Sequence, residues 1–306
     1  MKREYREDII ESVTRDYRDR AEARRTYETQ WRLNLNFYMG NQYCTALPTG
    51  DIADVEREYY WQEREVFNHI SALVETRQAK LNTVRPTLTV RPFSSDDDDI
   101  KTAKSSTKIL SAACDKLDVD KLLTEGTMWS EICGTAFYYV GWDEKSGLRI
   151  SDGVYEGDVI VDVVSPFEIY PDNLFAQNVS DCRSIIRARS VDVCELKRIY
   201  GKVVEPEAND VIGMSAVAVG GGLIADSTLN KLSVKNAEHS AVLIERYTLP
   251  SADMPNGEYA VVANGVLLHY GELPYVNGVD GRRGIPFIKQ VSLVNAGCFF
   301  GSSIVE

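Results

Sequence analysis

Histidine is scarce: the 306 residues hold only His69, His239 and His269, far apart in the chain. None has a second histidine three or four residues away, so no zinc-type pair on one helix face is available. A G-x-x-x-x-G-K-[ST] loop is also missing, which excludes ATP-driven work by the chain itself, and neither a G-x-S-x-G elbow nor H-E-x-x-H occurs. Positive charge is short, with 34 Lys and Arg against 46 Asp and Glu and a net charge of -12. That balance argues against a general nucleic-acid-binding surface, which needs a basic patch to displace counterions. Long apolar runs are lacking too. The uncharged stretch Val211–Ala225 has only 15 residues and is broken by Gly220, Gly221 and Gly222, too short for a membrane span. The opening MKREYREDII has no apolar core of a secretory signal. Six cysteines form no C-x-x-C pair. Cys114, Cys133, Cys194 and Cys298 fall on apolar faces or runs, so buried free thiols in a reducing compartment are expected.

What is present is organised around Gly126–Asp172. Val119, Leu122, Leu123, Gly126, Trp129, Ser130 and Cys133 recur at spacings of three and four, which predicts a helix stopped by Gly134. Phe137–Trp142 is aromatic and β-branched and runs into the turn cluster Asp143–Gly147, and Val159–Val164 is a second strand, so the two form a hairpin. The exit is Ser165-Pro166-Phe167-Glu168-Ile169-Tyr170-Pro171-Asp172. Each proline fixes its own φ and biases its predecessor to extended geometry, so the corner is expected to be stiff, with Phe167 and Tyr170 buried against the 119–133 helix.

Ahead of this unit, residues 5–38 read as one helix with Ile10, Val13, Tyr17, Ala21, Arg24, Tyr27, Trp31, Leu35 and Tyr38 on one face, ended by Gly40. Residues 1–30 carry eight basic and eight acidic side chains. The mixed charge reads as a solvated face held by i,i+4 pairs, with DNA contact by Arg15, Arg18, Arg20, Arg24 and Arg25 as the alternative. Pro48–Asp54 reads as a loop. Asn68 is an N-cap for a helix Ile70–Val84 that Arg85-Pro86 terminates, and Thr87–Val90 reads as a short strand. The acids Asp96–Asp99 lack the alternating order, glycine and terminal glutamate of a calcium loop. They read as capping residues at the positive end of a helix whose stripe is Ile100, Ala103, Thr107, Leu110, Cys114 and Leu117.

Beyond the unit, Arg183–Ser190 alternates as a strand, and Asp192 with Glu195 predicts a capping box for a helix closed by Gly201. Residues 203–236 read as a mobile small-residue insertion, with a membrane- or partner-binding loop, and so a partner-binding module, as the alternative. Three strands follow, Ala241–Tyr247, Tyr259–Asn264 and Val266–Tyr270, the last two joined at the hairpin signal Asn264-Gly265. Tyr275–Arg283 reads as a loop and Pro286–Val294 as a last extended segment. One catalytic pattern survives: Asp172 with Glu195 and Lys197 has the residue types of a metal-dependent nuclease, two carboxylates for a divalent ion and a lysine beside the attacking water. It requires Glu195 on a strand beside Asp172, whereas the capping box puts Glu195 on a helix.

The ordered segments Phe37–Tyr43, Phe67–Ile70 leading to Arg85-Pro86, Cys133–Phe137, Gly141-Trp142-Asp143, Val164–Asp172 and Arg282–Phe287 resemble the portal proteins of tailed bacteriophages, of the short-tailed-phage type. The resemblance implies an α+β fold with long N-terminal helices on a mixed, mainly antiparallel β region. It implies the wing part of a portal, helical over 1–135 and β-rich over 136–306. By this resemblance Trp31, Tyr38, Gly40, Asn68, Pro86, Gly134, Trp142, Pro166, Phe167, Tyr170, Pro171, Asp172 and Pro286 are structural anchors, and no catalytic, cofactor or metal residue is expected. The implied role is a structural subunit of a ring, usually of twelve copies, at one capsid vertex. Double-stranded DNA passes through it non-specifically, and the net charge of -12 allows a wall to which it does not stick. The implied partners are further copies, the terminase large subunit, tail-adaptor, scaffolding and major capsid proteins, with assembly in the host cytoplasm and residence in the virion, and no membrane. Portal proteins of this kind continue after a segment like Gly301–Ser303 into stem helices, a clip and a crown. With the chain ending at Glu306, either a truncated piece or a reduced relative is expected, mostly monomeric or heterogeneous in dilute solution and forming rings only at high concentration or in a full-length protein.

Overall fold

The computed structural model describes residues 3–55, 61, 63–84, 88–151, 153–207, 239–276 and 281–306. It is an α+β protein. Helix α1 (Arg3–Tyr38) is followed by a small hairpin, β1 (Cys44–Ala46) with β2 (Ile52–Asp54), and by helices α2 (His69–Thr83), α3 (Asp97–Lys116) and α4 (Val119–Cys133). Strands β3 (Thr135–Asp143) and β6 (Asp158–Val164) enclose the hairpin β4 (Arg149–Ser151) and β5 (Val154–Tyr155). Then come β7 (Ile169–Pro171), β8 (Ser184–Asp192), α5 (Val193–Tyr200), β9 (Ser240–Thr248), β10 (Glu258–Ala263), β11 (Val266–Gly271) and β12 (Phe287–Val291). Besides the two hairpins, the described residues form two larger antiparallel sheets, a five-stranded one ordered β11-β10-β9-β8-β7 and a three-stranded one ordered β12-β3-β6.

Helix α1 joins the two cores. At 1.5 Å per residue its 36 residues reach roughly 54 Å, and the apolar stripe changes partner along that length. Ile9 and Val13, with Ile10, Tyr17 and Ala21 beside them, lie on one face of the five-stranded sheet against Ile186, Ala188, Val242, Ile244, Ala260 and Val262. Further along, Trp31 and Leu35 enter the main core with Trp129, Phe137, Phe167, Phe299 and Phe300. The opposite face of the sheet, Ala241, Leu243, Val261 and Ala263, is covered by Leu196 of α5 and by Val204. The period-2 alternation along β9 therefore serves two separate apolar layers.

Helix α4 packs against β3 at Gly126 and hands over to it at Gly134, both crowded positions. A Cβ at Gly126 would fall 2.1 Å from the Tyr138 hydroxyl oxygen. Gly134 has φ +81, and a Cβ there would fall 2.2 Å from the carbonyl oxygen of Gly301. Gly134→Ala is expected to cost about 2–4 kcal/mol, the left-handed backbone and the overlap adding together. Urea unfolding that gives the wild-type midpoint would show that the 301–302 backbone moves aside freely. Hairpin β10–β11 turns on Asn264 (φ +38) and Gly265 (φ +70), the conformation that Asn-Gly favours.

Several local expectations need correction. Residues 52–54 of the supposed loop form β2, paired with 44–46. Leu88–Val90 are not a strand; the Val90 amide donates to the Thr107 hydroxyl. Asp96 makes no side-chain cap at α3, although Asp97, Asp98 and Asp99 do occupy its first turn. At α5, Asp192 accepts from the Cys194 amide while Glu195 turns to Arg198, 3.6 Å away. The buried thiols are Cys44, Cys133 and Cys182; Cys194 is exposed, and all six are free. Arg85, Pro86, Thr87 and residues 208–236 of the 203–236 insertion lie outside the described residues.

Candidate functional site at the clamped corner

Residues 164–172 leave one sheet and enter the other, and this crossing has its own geometry. Ser165 is extended (φ -67, ψ 152), as a residue before proline should be. Pro166–Glu168 then make one 3-10 turn, and Ile169, Tyr170 and Pro171 pair with Arg187, Ile186 and Ile185 of β8. Within this turn the Glu168 amide bonds the Ser165 carbonyl and the Ile169 amide that of Pro166; the buried carbonyls that follow need further donors. Arg24 supplies them. Its guanidinium donates to the carbonyl oxygens of Pro166 (2.8 Å), Ile169 (2.6 Å) and Phe167 (2.9 Å) and to Glu28 (3.1 Å), and it stacks 3.7 Å from the centre of the Tyr170 ring. The rigid fork of arginine is what permits several aligned bonds at once.

One turn earlier, Arg20 donates to the Tyr170 and Ser184 carbonyls, both at 3.2 Å, and to the Ser184 hydroxyl at 2.6 Å. From the sheet side, Arg246 reaches back to Ser12 (2.9 Å) and Asp16 (2.8 Å) of α1 and also pairs with Glu258. Arg187 pairs with Glu168 at 3.0 Å, both side chains being buried. For Glu28, burial alone would raise the carboxyl, but the charges and hydrogen bonds of Arg24 and Arg32 outweigh it and hold it below its ordinary value. Arg20 and Arg24 are thus neither a solvated face nor free for DNA; they are consumed in holding the corner. Arg25 donates to the Thr49 carbonyl, while Arg15 and Arg18 are exposed.

Phe167 is fully buried, with ring centroids 5.3 Å from Trp31 and 6.3 Å from Trp129, so it meets α4 and also α1. Tyr170 is buried against α1, 5.0 Å from Tyr17, and belongs to the second core, not to the 119–133 helix. The reason is the alternation of β7: successive side chains point to opposite faces. Burial drives the Tyr17 and Tyr170 hydroxyls to higher pKa values.

Of the other expected anchors, Asn68 accepts from the Ser71 amide (3.0 Å) and donates to the Tyr38 carbonyl (2.7 Å), tying the end of α1 to the start of α2. Gly40 has φ +95 just past α1. Trp142 is half exposed and covers Gly157, and Pro286 accepts through its carbonyl from the Val140 amide. Asp172 accepts from the amides of Arg183 (3.1 Å) and Ser184 (3.3 Å) at the start of β8. Glu195 and Lys197 sit on α5, beyond the other end of that nine-residue strand, roughly 26 Å away at 3.3 Å per residue. The nuclease trio is not brought together. Among the described residues no group of three or more His, Cys, Asp or Glu could hold a metal ion.

A model of the P22-like phage portal protein family matches residues 14–270. The chain belongs to this family. No curated protein shows significant similarity to it. The matched region runs from the second part of α1 to β11 and takes in the whole clamped corner. This portal-family chain is accordingly a structural component of a bacteriophage virion, working in an oligomeric assembly of the capsid. Sequence reasoning missed how the corner is held. The available signal was Arg24 itself, an arginine in register with an apolar stripe. It also missed Phe299 and Phe300, both fully buried, with Phe299 stacked 5.8 Å from Phe137.

Proposed function

We propose that the chain is a subunit of a ring-shaped portal at one capsid vertex, closed from about twelve copies as is usual for such rings. Double-stranded DNA enters and leaves through the ring, and the terminase large subunit and tail-adaptor proteins attach to it. Scaffolding and major capsid proteins surround it during assembly in the host cytoplasm. The observation that carries this reading is the family match over 14–270, continuous through α1, the corner and the five-stranded sheet.

The role is mechanical, and the chemistry supports it. The chain has no nucleotide-binding loop, so the force on DNA comes from a separate ATPase. A net charge of -12 lets a polyanion slide without counterion-release binding. Trp31, Gly134, Pro166, Phe167, Tyr170, Pro171 and Asp172 act as anchors of a stiff joint between the helical 1–135 part and the β-rich 136–306 part. Immunogold labelling of purified virions with antibody to this chain tests the reading. Gold is expected at one vertex per particle, at the tail; label spread over the shell, or absent from particles, refutes it.

A further inference from the structure

The end of α4 is capped from far along the chain. A helix leaves its last carbonyls without amides of its own to bond, and where they are buried each needs a donor from elsewhere. Residues Trp129–Cys133, the last turn of α4, are all buried. The Glu131 carbonyl accepts from the Ser303 hydroxyl (2.8 Å) and the Ile304 amide (3.3 Å), and the Ile132 carbonyl from Asn34 of α1 (3.1 Å). One residue past the helix, the Gly134 carbonyl accepts from the Ser292 amide (3.0 Å). Both donors to Glu131 thus belong to the segment 299–305, beyond residue 270 where the family match stops.

This segment is built into the core. Phe299 and Phe300 are fully buried, and the Gly301 amide donates to the buried Thr135 hydroxyl at 2.8 Å. A Cβ at Gly301 would fall 2.2 Å from the Val291 side chain and 2.8 Å from the Gly134 carbonyl oxygen, so only glycine lets the two backbones cross here. The carboxylate of Glu131 faces a different neighbour. Only 2% of the residue is exposed, and its side chain accepts from the Ser292 hydroxyl (2.8 Å) and pairs with Arg77 of α2 (2.5 Å). Helix α2 fully buries only Val74, so this pair, with the Gln78 bond to the Thr124 carbonyl (3.2 Å), is a large part of its hold on α4.

One residue therefore meets the 299–305 segment through its backbone and α2 through its side chain. We infer that this segment is a strap whose docking fixes the position of Glu131 and, through it, the hold on α2. When the strap lifts, the Glu131 carbonyl loses both donors, the last turn of α4 frays, and the carboxylate moves out of reach of Arg77. Strap, helix end and α2 open together. The five-stranded sheet stays closed, because none of these bonds of Glu131 reaches it.

Amide hydrogen exchange of the full chain, read segment by segment by mass spectrometry, tests the coupling, with melting temperature as the control for folding. Ser303→Ala removes one buried hydroxyl and is the mildest change. Exchange in 69–83 and in the last turn of α4 is expected to speed up about three- to tenfold, the scale of one lost hydrogen bond, with β9 and β10 unchanged. Arg77→Met, at a half-exposed position, should speed up 69–83 by itself. In its background Ser303→Ala should add little there, since the connecting pair is already gone. Faster exchange confined to 299–306, an equal change in every segment, or full additivity of the two substitutions in 69–83 each overturns the coupling.

Discussion

Arg24→Ala is expected to lower the unfolding free energy by about 3–5 kcal/mol, the scale on which removing one member of a buried, hydrogen-bonded charge arrangement acts. The side chain is 1% exposed and serves the carbonyls of Pro166, Phe167 and Ile169 together. Alanine takes the guanidinium from all three, of which Pro166 keeps the Ile169 amide as a donor; a buried carbonyl left with no donor costs about 1–3 kcal/mol, and the total allows for water entering the space. Arg24→Lys should recover part of the loss only, since an ammonium cannot span three acceptors as a planar fork does. A pH signature accompanies the change. Glu28 has its carboxyl below its ordinary 4.5, so its contribution is complete above that value and is lost as pH falls through the lower folded value. Removing Arg24 removes one of the two charges that depress it. The variant should therefore show a weaker loss of stability between pH 4.5 and more acidic conditions than wild type. Urea unfolding at neutral and acid pH measures both effects; a neutral-pH loss below about 1 kcal/mol would mean the carbonyls find other donors.

How far the fold could be read from the sequence follows from which signals are local. The face of α1, the stop at Gly134 and the Asn264-Gly265 turn are each set by neighbours within a few residues, and each is where the spacing puts it; β3 and β6 pair as expected, but around a further hairpin that their own pattern does not reveal. Strands β1 and β2 have three residues apiece and exist only because they pair with each other, so no period within either reveals them. Periodicity also says that a face is buried without saying against what. That is why Tyr170 could be expected inside yet assigned to the wrong helix. The site was legible to the same degree. The corner stood out through Pro166 and Pro171, but its clamp comes from 142 to 145 residues earlier in the chain, and no local rule links Arg24 to Pro166 or Ile169. The nuclease trio failed for the converse reason: Asp172 and Glu195 are near in sequence, and an intervening extended strand carries them apart.

On the proposed reading, in which DNA passes through the ring, each exposed cation would be a place for it to stick, and four arginines near the joint, Arg20, Arg24, Arg187 and Arg246, have their charges turned inward to carbonyls and carboxylates. Burying them strengthens the joint between α1 and the sheets and removes positive charge from the surface in the same stroke.

Phe167→Ala should cost about 3–5 kcal/mol, the range for emptying a large aromatic site in a packed core. The ring is 1% exposed and makes edge-to-face contacts with Trp31 at 81° and Trp129 at 74°. It is the side chain at which α1, α4 and the corner meet, and the surrounding rings are too large and too well packed to collapse into the space. Aromatic pairs of this geometry contribute about 0.5–1.5 kcal/mol beyond area, so a double-mutant cycle with Trp31→Leu should give a coupling of that order. Phe167→Leu keeps most of the volume and should cost about 1–2 kcal/mol. For a chain of this size the alanine variant should melt roughly ten degrees lower. A melting temperature within a degree or two of wild type would show the corner to be peripheral to the core, and with it the joint between the two sheets.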